Sequence, residues 1–318
     1  MPGKALRIGV VMDPIDRINP KKDSTLAMLL AAMRRGWSLH YMEQGDLSVR
    51  DGKPYARMRP LRVRDDLRDW FELGEAQTAS LAELDVILMR KDPPFDIEYV
   101  ETTYLLERAA AAGVLVVNDP RSLRDVNEKA YTAWFPEWCP ATLLTRSHAE
   151  VKAFAAEHGK IVLKPLDGMG GKSIFIVPPG DLNMNVILET LSGNGTRFIV
   201  AQRFIPEIAK TGDKRVLVVD GRPVPYVLAR YPAPGESRGN LAAGGRAEPQ
   251  SITPRDREIG EHVGGALAKL GILFVGLDVI GDYLTEINVT SPTCIRELDK
   301  AYGLDIAGDL MEVIAKRR

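Results

Sequence analysis

Between residues 8 and 118, short apolar runs alternate with stretches of helical spacing, a pattern that restricts this part of the chain to a parallel sheet covered by helices. Ile8–Met12 is such a run, and a loop with Pro14, Asn19 and Pro20 follows it. Asp23 and Ser24 form an N-cap region. Leu26, Leu29, Leu30 and Met33 then recur at helical spacing until Gly36. Ser38–Met42 and Asp85–Arg90 read as strands, Ile97–Ala112 as a helix stopped by Gly113, and Val114–Asn118 as a further strand. Residues 1–122 are therefore expected to form a doubly wound α/β domain.

The pattern then changes. Ala141–Thr145, Lys160–Pro165, Ser173–Val177 and Arg197–Phe204 read as strands, with helices over Ser147–His158 and Asp181–Ser192 between them. Lys214–Val219 and Pro223–Arg230 flank Asp220-Gly221, a strong hairpin signal. Residues 232–250 are rich in Gly, Pro, Ala and Arg without periodicity and read as a long mobile loop. Thr253–Leu270 is a helix with Thr253 as N-cap and Pro254 in its first turn. Leu273–Ile280 and Leu284–Thr290 form a second hairpin, and helices close the chain. Paired hairpins with helices between them imply α+β for this half.

Composition bounds the function. The chain has 318 residues, 45% hydrophobic and 27% charged, with a formal net charge of −1, so no whole-surface grip on nucleic acid is expected. Arg57, Arg59, Arg62, Arg64 and Arg68 are interleaved with Asp65, Asp66 and Asp69, the pattern of a solvated face rather than a nucleic-acid patch. Two cysteines, Cys139 and Cys294, are too few for a disulfide framework and suggest a reducing compartment. There is no secretory pattern at the N-terminus. The longest apolar run, Ala109–Val117, is far short of the ~18 residues of a membrane span, so a cytoplasmic protein is expected.

Several segments carry chemistry. Asp167-Gly168-Met169-Gly170-Gly171-Lys172-Ser173 ends like a P-loop, but position 166 is leucine and a strand, not a helix, follows. A glycine-rich turn between strands is either a plain tight turn or a flap whose bare amides lie over phosphates. Lys164 ends an apolar strand, either snorkelling at an edge or meeting an anion. In the last hairpin Glu286 and Asn288 are two residues apart and share a strand face. Asp278 is an acid within an apolar strand. These oxygens suit magnesium, which takes one or two carboxylates plus substrate phosphates, or else they line a polar solvent-facing side. A two-residue turn at Gly281-Asp282 puts Asp278 opposite Thr285. A third turn residue, or an equivalent bulge, puts it opposite Glu286, and the metal reading requires the latter. Arg90, Arg215 and Arg230 lie at strand positions suited to carboxylates or phosphates, although a surface arginine is the commoner case. The four histidines have no metal spacing, and Cys294, near the acids, reads as a buried structural thiol.

Long strings add a resemblance. They include Lys21-Lys22-Asp23-Ser24, Met89-Arg90-Lys91-Asp92-Pro93-Pro94-Phe95-Asp96, Asn127-Glu128-Lys129, Leu163–Gly171, Asp213–Gly221, Arg238–Arg246 and Leu284–Thr293. With them the chain resembles the bacterial glutathione synthetases, a family of ATP-grasp ligases. The resemblance implies an ATP-grasp fold after the first domain, two α+β subdomains clamping ATP. It divides residues 123–318 into a lid subdomain at 123–200 and a catalytic subdomain at 201–318, with a mobile lid loop at 232–246. It implies that Lys129, Lys164 and the Gly168, Gly170 and Gly171 turn bind ATP phosphates. Adenine would lie near Gln202, Phe204 and Ile205, and ribose at Asp213. Asp278, Glu286 and Asn288 would hold magnesium, with manganese as a substitute. Arg215 and Arg230 would be catalytic. Arg90, Asn240, Ser291 and Thr293 would face the peptide substrate. The implied reaction joins γ-glutamylcysteine to glycine through an acyl phosphate, in a homotetramer. A different carboxylate–amine ligase, or a nucleotide-binding module without turnover, is the alternative.

Overall fold

The computed structural model of the chain describes residues 5–168, 170–171, 173–233 and 245–318. Asn240, Lys172 and most of the 232–246 loop lie outside the described residues. The first sheet contains β1 (Arg7–Val11), β2 (Ser38–Met42), β3 (Leu47–Arg50), β4 (Lys53–Val63), β5 (Phe71–Leu73), β6 (Gln77–Ser80), β7 (Val86–Met89) and β8 (Leu115–Val117). Its order is β3-β4-β2-β1-β7-β8, with β5 and β6 both pairing with β4. The four strands β2, β1, β7 and β8 are parallel, as the alternation of runs and helices implies. Helix α1 (Ser24–Arg34), whose N-cap Asp23 accepts from the Leu26 amide, covers one face with Leu26 and Leu29 against Ile8 and Val10. Helix α2 (Ile97–Ala111) covers the other with Tyr99 and Leu106 against Val11, Ile87 and Met89. Helix α3 (Pro120–Asp125) follows.

The antiparallel extension β3–β6 is absent from the sequence reading. Its long strand β4 buries Pro54, Ala56, Met58, Leu61 and Val63, while Arg57 and Arg62 point to solvent. Arg64 meets Asp69 and Glu72 at 2.6 and 2.7 Å. Much of the arginine run is thus the wet side of a strand, with Arg64 at its end paired to two acids.

The second sheet, order β11-β10-β12-β9, is antiparallel. It comprises β9 (Thr142–Thr145), β10 (Ile161–Pro165), β11 (Phe175–Val177) and β12 (Ile199–Arg203). With α4 (His148–His158) and α5 (Met184–Ser192) it encloses a small separate core around Val151, Ile161, Leu163, Leu188 and Ala201.

The third sheet, order β15-β14-β13-β16-β17, is also antiparallel. It is built from β13 (Asp213–Val219), β14 (Arg222–Tyr231), β15 (Arg246–Ser251), β16 (Phe274–Ile280) and β17 (Tyr283–Asn288), preceded by the short α6 (Ile208–Thr211). Helix α7 (Pro254–Lys269) packs Ile259, Val263 and Leu267 on the face carrying Val216 and Val218. The opposite face is apolar only at one end. There Leu217, Val219 and Phe274 join α8 (Ile295–Tyr302), α9 (Ile306–Lys316) and α1 in one continuous core. Strand β15 corrects the reading of 232–250 as loop throughout. Its sequence, with Pro249, has no alternation to betray it, and proline is tolerated because this is an edge strand.

The junction between the first and third sheets is polar at its centre. Asn118, only 4% exposed, donates to the carbonyls of Phe274 and Val289 at 2.8 and 2.7 Å and accepts from the amides of Leu273 and Phe274 at 2.9 and 3.0 Å. Its amide spends all four bonding positions on two strands of the neighbouring sheet.

Candidate active site

At the end of the third sheet away from α8 and α9, the face turns from apolar to charged. Register explains why. Asp213 pairs with Arg230 on one side and Ile280 on the other, and Arg215 pairs with Asp278. Residues two apart share a face, so Arg230, Asp213, Arg215 and Asp278 converge. The turn before β17 has two residues, since Ile280 pairs with Tyr283, yet Asp278 still pairs with Glu286. A bulge at Thr285 absorbs the extra residue, and the Thr285 hydroxyl donates to the Asp278 carbonyl at 3.1 Å. The metal reading thus meets its geometric condition by the bulge, not by a longer turn. Asn288 pairs with Gly276 on the same face. A Cβ at Gly276 would lie 2.8 Å from Cδ of Arg215, so glycine there leaves the space in which the arginine lies.

The charges are tightly paired. Arg215 donates Nε and Nη2 to Asp278 at 2.5 and 3.2 Å. Arg230 reaches Asp278 at 3.0 Å and Asp213 at 2.6 Å. Burial alone would raise the Asp278 pKa, but the two guanidinium groups hold it well below the usual carboxylate range. Asp213 has less help. Burial dominates over Arg230, the nearby Asp278 and Glu286 charges add to it, and the pKa rises to about 6. Among the described residues its Oδ1 is buried with no hydrogen-bond partner.

The second sheet faces this charged end across a cleft lined by Val162, Lys164, Gln202, Phe204, Ile205, Asp213, Thr285 and Glu286 among others. Lys164 lies 3.8 Å from Glu286. Gln202 is buried and donates to the Thr142 hydroxyl at 3.0 Å, and the Phe204 amide donates to the Lys160 carbonyl at 3.0 Å. The Gly168, Gly170 and Gly171 turn joins β10 to β11, and Gly170 and Gly171 have positive φ. Lys129, 3% exposed, ion-pairs with Glu128 and donates to the Gly168 carbonyl at 2.6 Å, tying the glycine turn to the cleft floor. Glu128 stands in the sequence reading only within the string Asn127-Glu128-Lys129, with no role assigned to it. Burial, then the charge of Glu286, raises its pKa. Its only sequence signal is its place beside Lys129.

Arg90 stands apart from the other arginines, at the C-terminal end of β7. It is 5% exposed, donates to the Thr25 hydroxyl at 3.1 Å and the Pro292 carbonyl at 3.0 Å, and lies over the Phe274 ring. Among the described residues no carboxylate forms an ion pair with it, and burial lowers its pKa. Ser291 and Thr293 flank Pro292 in the same loop; Thr293 is exposed. Cys294 is buried, and burial raises its thiol pKa. Among the described residues no group of three or more His, Cys, Asp or Glu side chains is gathered as a metal cage. Two carboxylates and an amide oxygen are nevertheless enough for magnesium that also binds phosphates. Asn288 fits as the third donor, because its side-chain nitrogen is buried without a partner and the amide is free to present oxygen instead.

Two sheets gripping a cleft, behind a parallel α/β unit, are the ATP-grasp architecture. A solved D-cycloserine synthetase, DcsG, superposes with a TM-score of 0.70 at 14% identity, covering 98% of this chain and 99% of that one. The ATP-grasp ligase PsnB, solved with a minimal precursor, Mg and ADP, gives 0.62 at 17% identity over 98% of each chain. The fold is therefore the ATP-grasp fold. Family models narrow it: the prokaryotic glutathione synthetase N-terminal domain matches residues 6–124, and the ATP-grasp domain of the same family matches residues 128–303. The curated glutathione synthetases of Pseudomonas putida and Vibrio cholerae are 61% and 56% identical over 98% of both chains, and that of Salmonella typhimurium 58% over 98% of this chain and 99% of its own. The chain belongs to the prokaryotic glutathione synthetase family.

Proposed function

We propose that the chain ligates γ-glutamylcysteine to glycine, with ATP giving ADP and phosphate, and that the cleft between the second and third sheets is where it does so. The observation that carries this reading is the shared face on which Asp278 lies opposite Glu286 with Arg215 and Arg230 beside them. A carboxylate oxygen of the dipeptide attacks the γ-phosphorus of ATP, the bond to ADP breaks, and an acyl phosphate forms. The glycine amine then attacks the acyl carbon, and phosphate leaves. Neither step needs a nucleophilic side chain; both need aligned reactants and neutralised charge.

The chain's residues supply that. Lys129 and Lys164 neutralise the phosphates, and the amides of Gly168, Gly170 and Gly171 close over them. Adenine lies against Gln202, Phe204 and Ile205. A ribose hydroxyl donates to Asp213, whose unpartnered Oδ1 supports this role. Arg90, whose side-chain hydrogen bonds among the described residues go to the neutral Thr25 hydroxyl and Pro292 carbonyl, receives a carboxylate of the peptide, and Ser291 and Thr293 belong to the same subsite. Arg215 and Arg230 stabilise the charge on the transferred phosphoryl group. Asp278, Glu286 and Asn288 hold magnesium, or manganese in its place; the ion, when bound, neutralises phosphate charge. Residues 1–122 form the first domain, 123–200 the lid subdomain and 201–318 the catalytic subdomain. The assembly is a homotetramer, to be read by sedimentation, and the two free cysteines suit a reducing cytoplasm.

ADP release measured in magnesium buffer, with γ-glutamylcysteine and glycine omitted in turn, tests the reading. Release should require both. Absence of release with both present, or equal release without glycine, would overturn it.

A further inference from the structure

At the start of α1, three consecutive side chains each accept one hydrogen bond. Asp23 caps the helix, its Oδ1 accepting from the Leu26 amide at 2.6 Å. Ser24, 1% exposed, accepts from the Ile295 amide, where α8 begins, at 3.2 Å. Thr25, 4% exposed, accepts from Nε of Arg90 at 3.1 Å. Capping accounts for Asp23. The two hydroxyls instead reach out of the helix, to a loop and an arginine that belong to the subsite assigned to the peptide.

The loop, residues 290–294, is pinned at both ends. The Val289 carbonyl accepts from Asn118 where the chain leaves β17, and Ser24 holds the Ile295 amide where it enters α8. Pro292, between these anchors, offers its carbonyl to Nη2 of Arg90 at 3.0 Å. The Phe274 ring bounds the guanidinium, its centroid 5.7 Å from Cζ. Nε is thus spent on Thr25 and one Nη2 hydrogen on Pro292. The Nη1 hydrogens and the other Nη2 hydrogen make no hydrogen bond among the described residues, and they form an edge that a carboxylate can take bidentately. That the two acceptors are neutral matters, because acids are close. The charges of Asp92 and Asp23 act on Arg90, although neither forms an ion pair with it among the described residues. Asp92 is exposed, and its amide is tied to Asp13 at 2.8 Å. A guanidinium released from Thr25 has a buried Nε–H to satisfy, and a carboxylate is the stronger acceptor. It is then free to turn toward an acid of its own chain, which cancels the charge that the peptide would meet.

We propose that Thr25 is a positioning residue for the peptide substrate, its hydroxyl holding Nε of Arg90 so that the charge and the Nη1–Nη2 edge stay available to a carboxylate. This rests on the assignment of Arg90 to a carboxylate of the peptide. The test is steady-state kinetics of the full chain carrying Thr25→Val, which exchanges the hydroxyl for a methyl group. The KM for γ-glutamylcysteine should rise about 3- to 10-fold, the scale of ordering one long side chain on binding. The kcat and the KM values for ATP and glycine should stay within about twofold, as expected when only peptide binding is touched. Thr25→Ser keeps the hydroxyl and should behave as the wild type. In an Arg90→Met background Thr25→Val should add less than about twofold, since no guanidinium is left to hold. Should Thr25→Val fail to fold, Thr25→Ala takes its place with the same expectations. An unchanged KM for the dipeptide, a loss spread over kcat and all three KM values, or a full additional loss on top of Arg90→Met overturns the role of Thr25. Arg90→Met alone separates the two failures. If it leaves the dipeptide KM unchanged, the carboxylate assignment falls and Thr25 with it; if it raises that KM while Thr25→Val does not, only the role of Thr25 falls.

Discussion

Glu286→Gln and Asp278→Asn each remove one proposed magnesium ligand, but their surroundings differ so much that stability and turnover should separate. Glu286 has a side chain 19% exposed, and its ion pair among the described residues is a loose one with Lys164 at 3.8 Å. A contact of that kind contributes about 0–1 kcal/mol, so Gln should lower Tm by no more than ~4 °C in a chain of this size. Turnover should fall by about 10²-fold, or ~2.7 kcal/mol, the usual scale for losing an electrostatic stabiliser. Asp278 is 5% exposed at its side chain and neutralises both Arg215 and Arg230. Asparagine leaves two buried guanidinium groups with Asp213 as their remaining anion, and breaking a buried pair costs about 3–5 kcal/mol. Asp278→Asn should therefore lose turnover and unfold ~6–20 °C earlier. Thermal melts with EDTA, with nucleotide in EDTA, and with nucleotide plus magnesium supply the third reading. The wild type should gain roughly 2.7 kcal/mol at ligand 100-fold above its Kd, and Glu286→Gln should keep the nucleotide increment but lose the metal increment. Equal destabilisation by the two variants, or wild-type turnover in Glu286→Gln, refutes the assignment.

Arg90→Met should raise KM for γ-glutamylcysteine roughly 10- to 100-fold, the loss of about 1.5–3 kcal/mol in a bond to a charged group, with KM for ATP within about twofold; an effect confined to ATP would move Arg90 out of the peptide site. Asn118→Ala strands two amides and two carbonyls between the sheets, at about 1–3 kcal/mol each, so a loss above ~4 kcal/mol is expected by urea unfolding, and a loss under ~1 kcal/mol would mean the junction repacks or hydrates without cost. Asp299 accepts from the Ile306 amide at 3.1 Å, and burial, then Asp305 and Asp309, raise its pKa to about 6. The folded chain thus holds this proton more tightly than the unfolded one, and stability falls as pH rises through 6. Asp299→Asn should melt higher than wild type at pH 7, the difference vanishing toward about pH 4; a constant difference would remove the charge as its cause.

The parallel core was legible because its strands are near-continuous apolar runs, as in Ile8–Met12, and its helices show their own period. The β3–β6 extension was not. Its apolar positions are separated by arginines that face water, and the alternation breaks at Pro60. Within the site, residues two apart on one strand could be grouped from spacing, but a regular ladder from the Asp220-Gly221 turn would pair Asp213 with Leu228, and only a register shift between Val216 and Val218 brings Arg230 opposite Asp213. The Thr285 bulge could not be read, because a two-residue turn and a regular ladder predict the wrong face for Asp278, and nothing in the local sequence marks the register shift. Glu128 and Asp256 were invisible for a related reason. Each is an ordinary acid in its local sequence, and what sets it apart is a charge distant in sequence: the like charge of Glu286, 158 positions from Glu128, and the ammonium of Lys214, 42 positions from Asp256.

The charged side chains of the site balance one another. Lys129 is held by Glu128, Lys164 lies near Glu286, and Arg215 and Arg230 share Asp213 and Asp278. Each cation assigned to a phosphate is thus already facing a carboxylate. A triphosphate drawing Lys164 toward itself takes from Glu286 its nearby positive charge, and that carboxylate then favours a metal ion. By the same reasoning magnesium at Glu286 and Asp278 frees the basic side chains for phosphate. Nucleotide and magnesium should therefore strengthen each other's binding by one common factor, as linkage demands, on the order of 5–150-fold. Calorimetric titration of each ligand with and without the other measures it. Lys164→Met should shrink the coupling, since the carboxylate is then uncompensated from the start, whereas a coupling unchanged in that variant would place the exchange of partners elsewhere in the cleft.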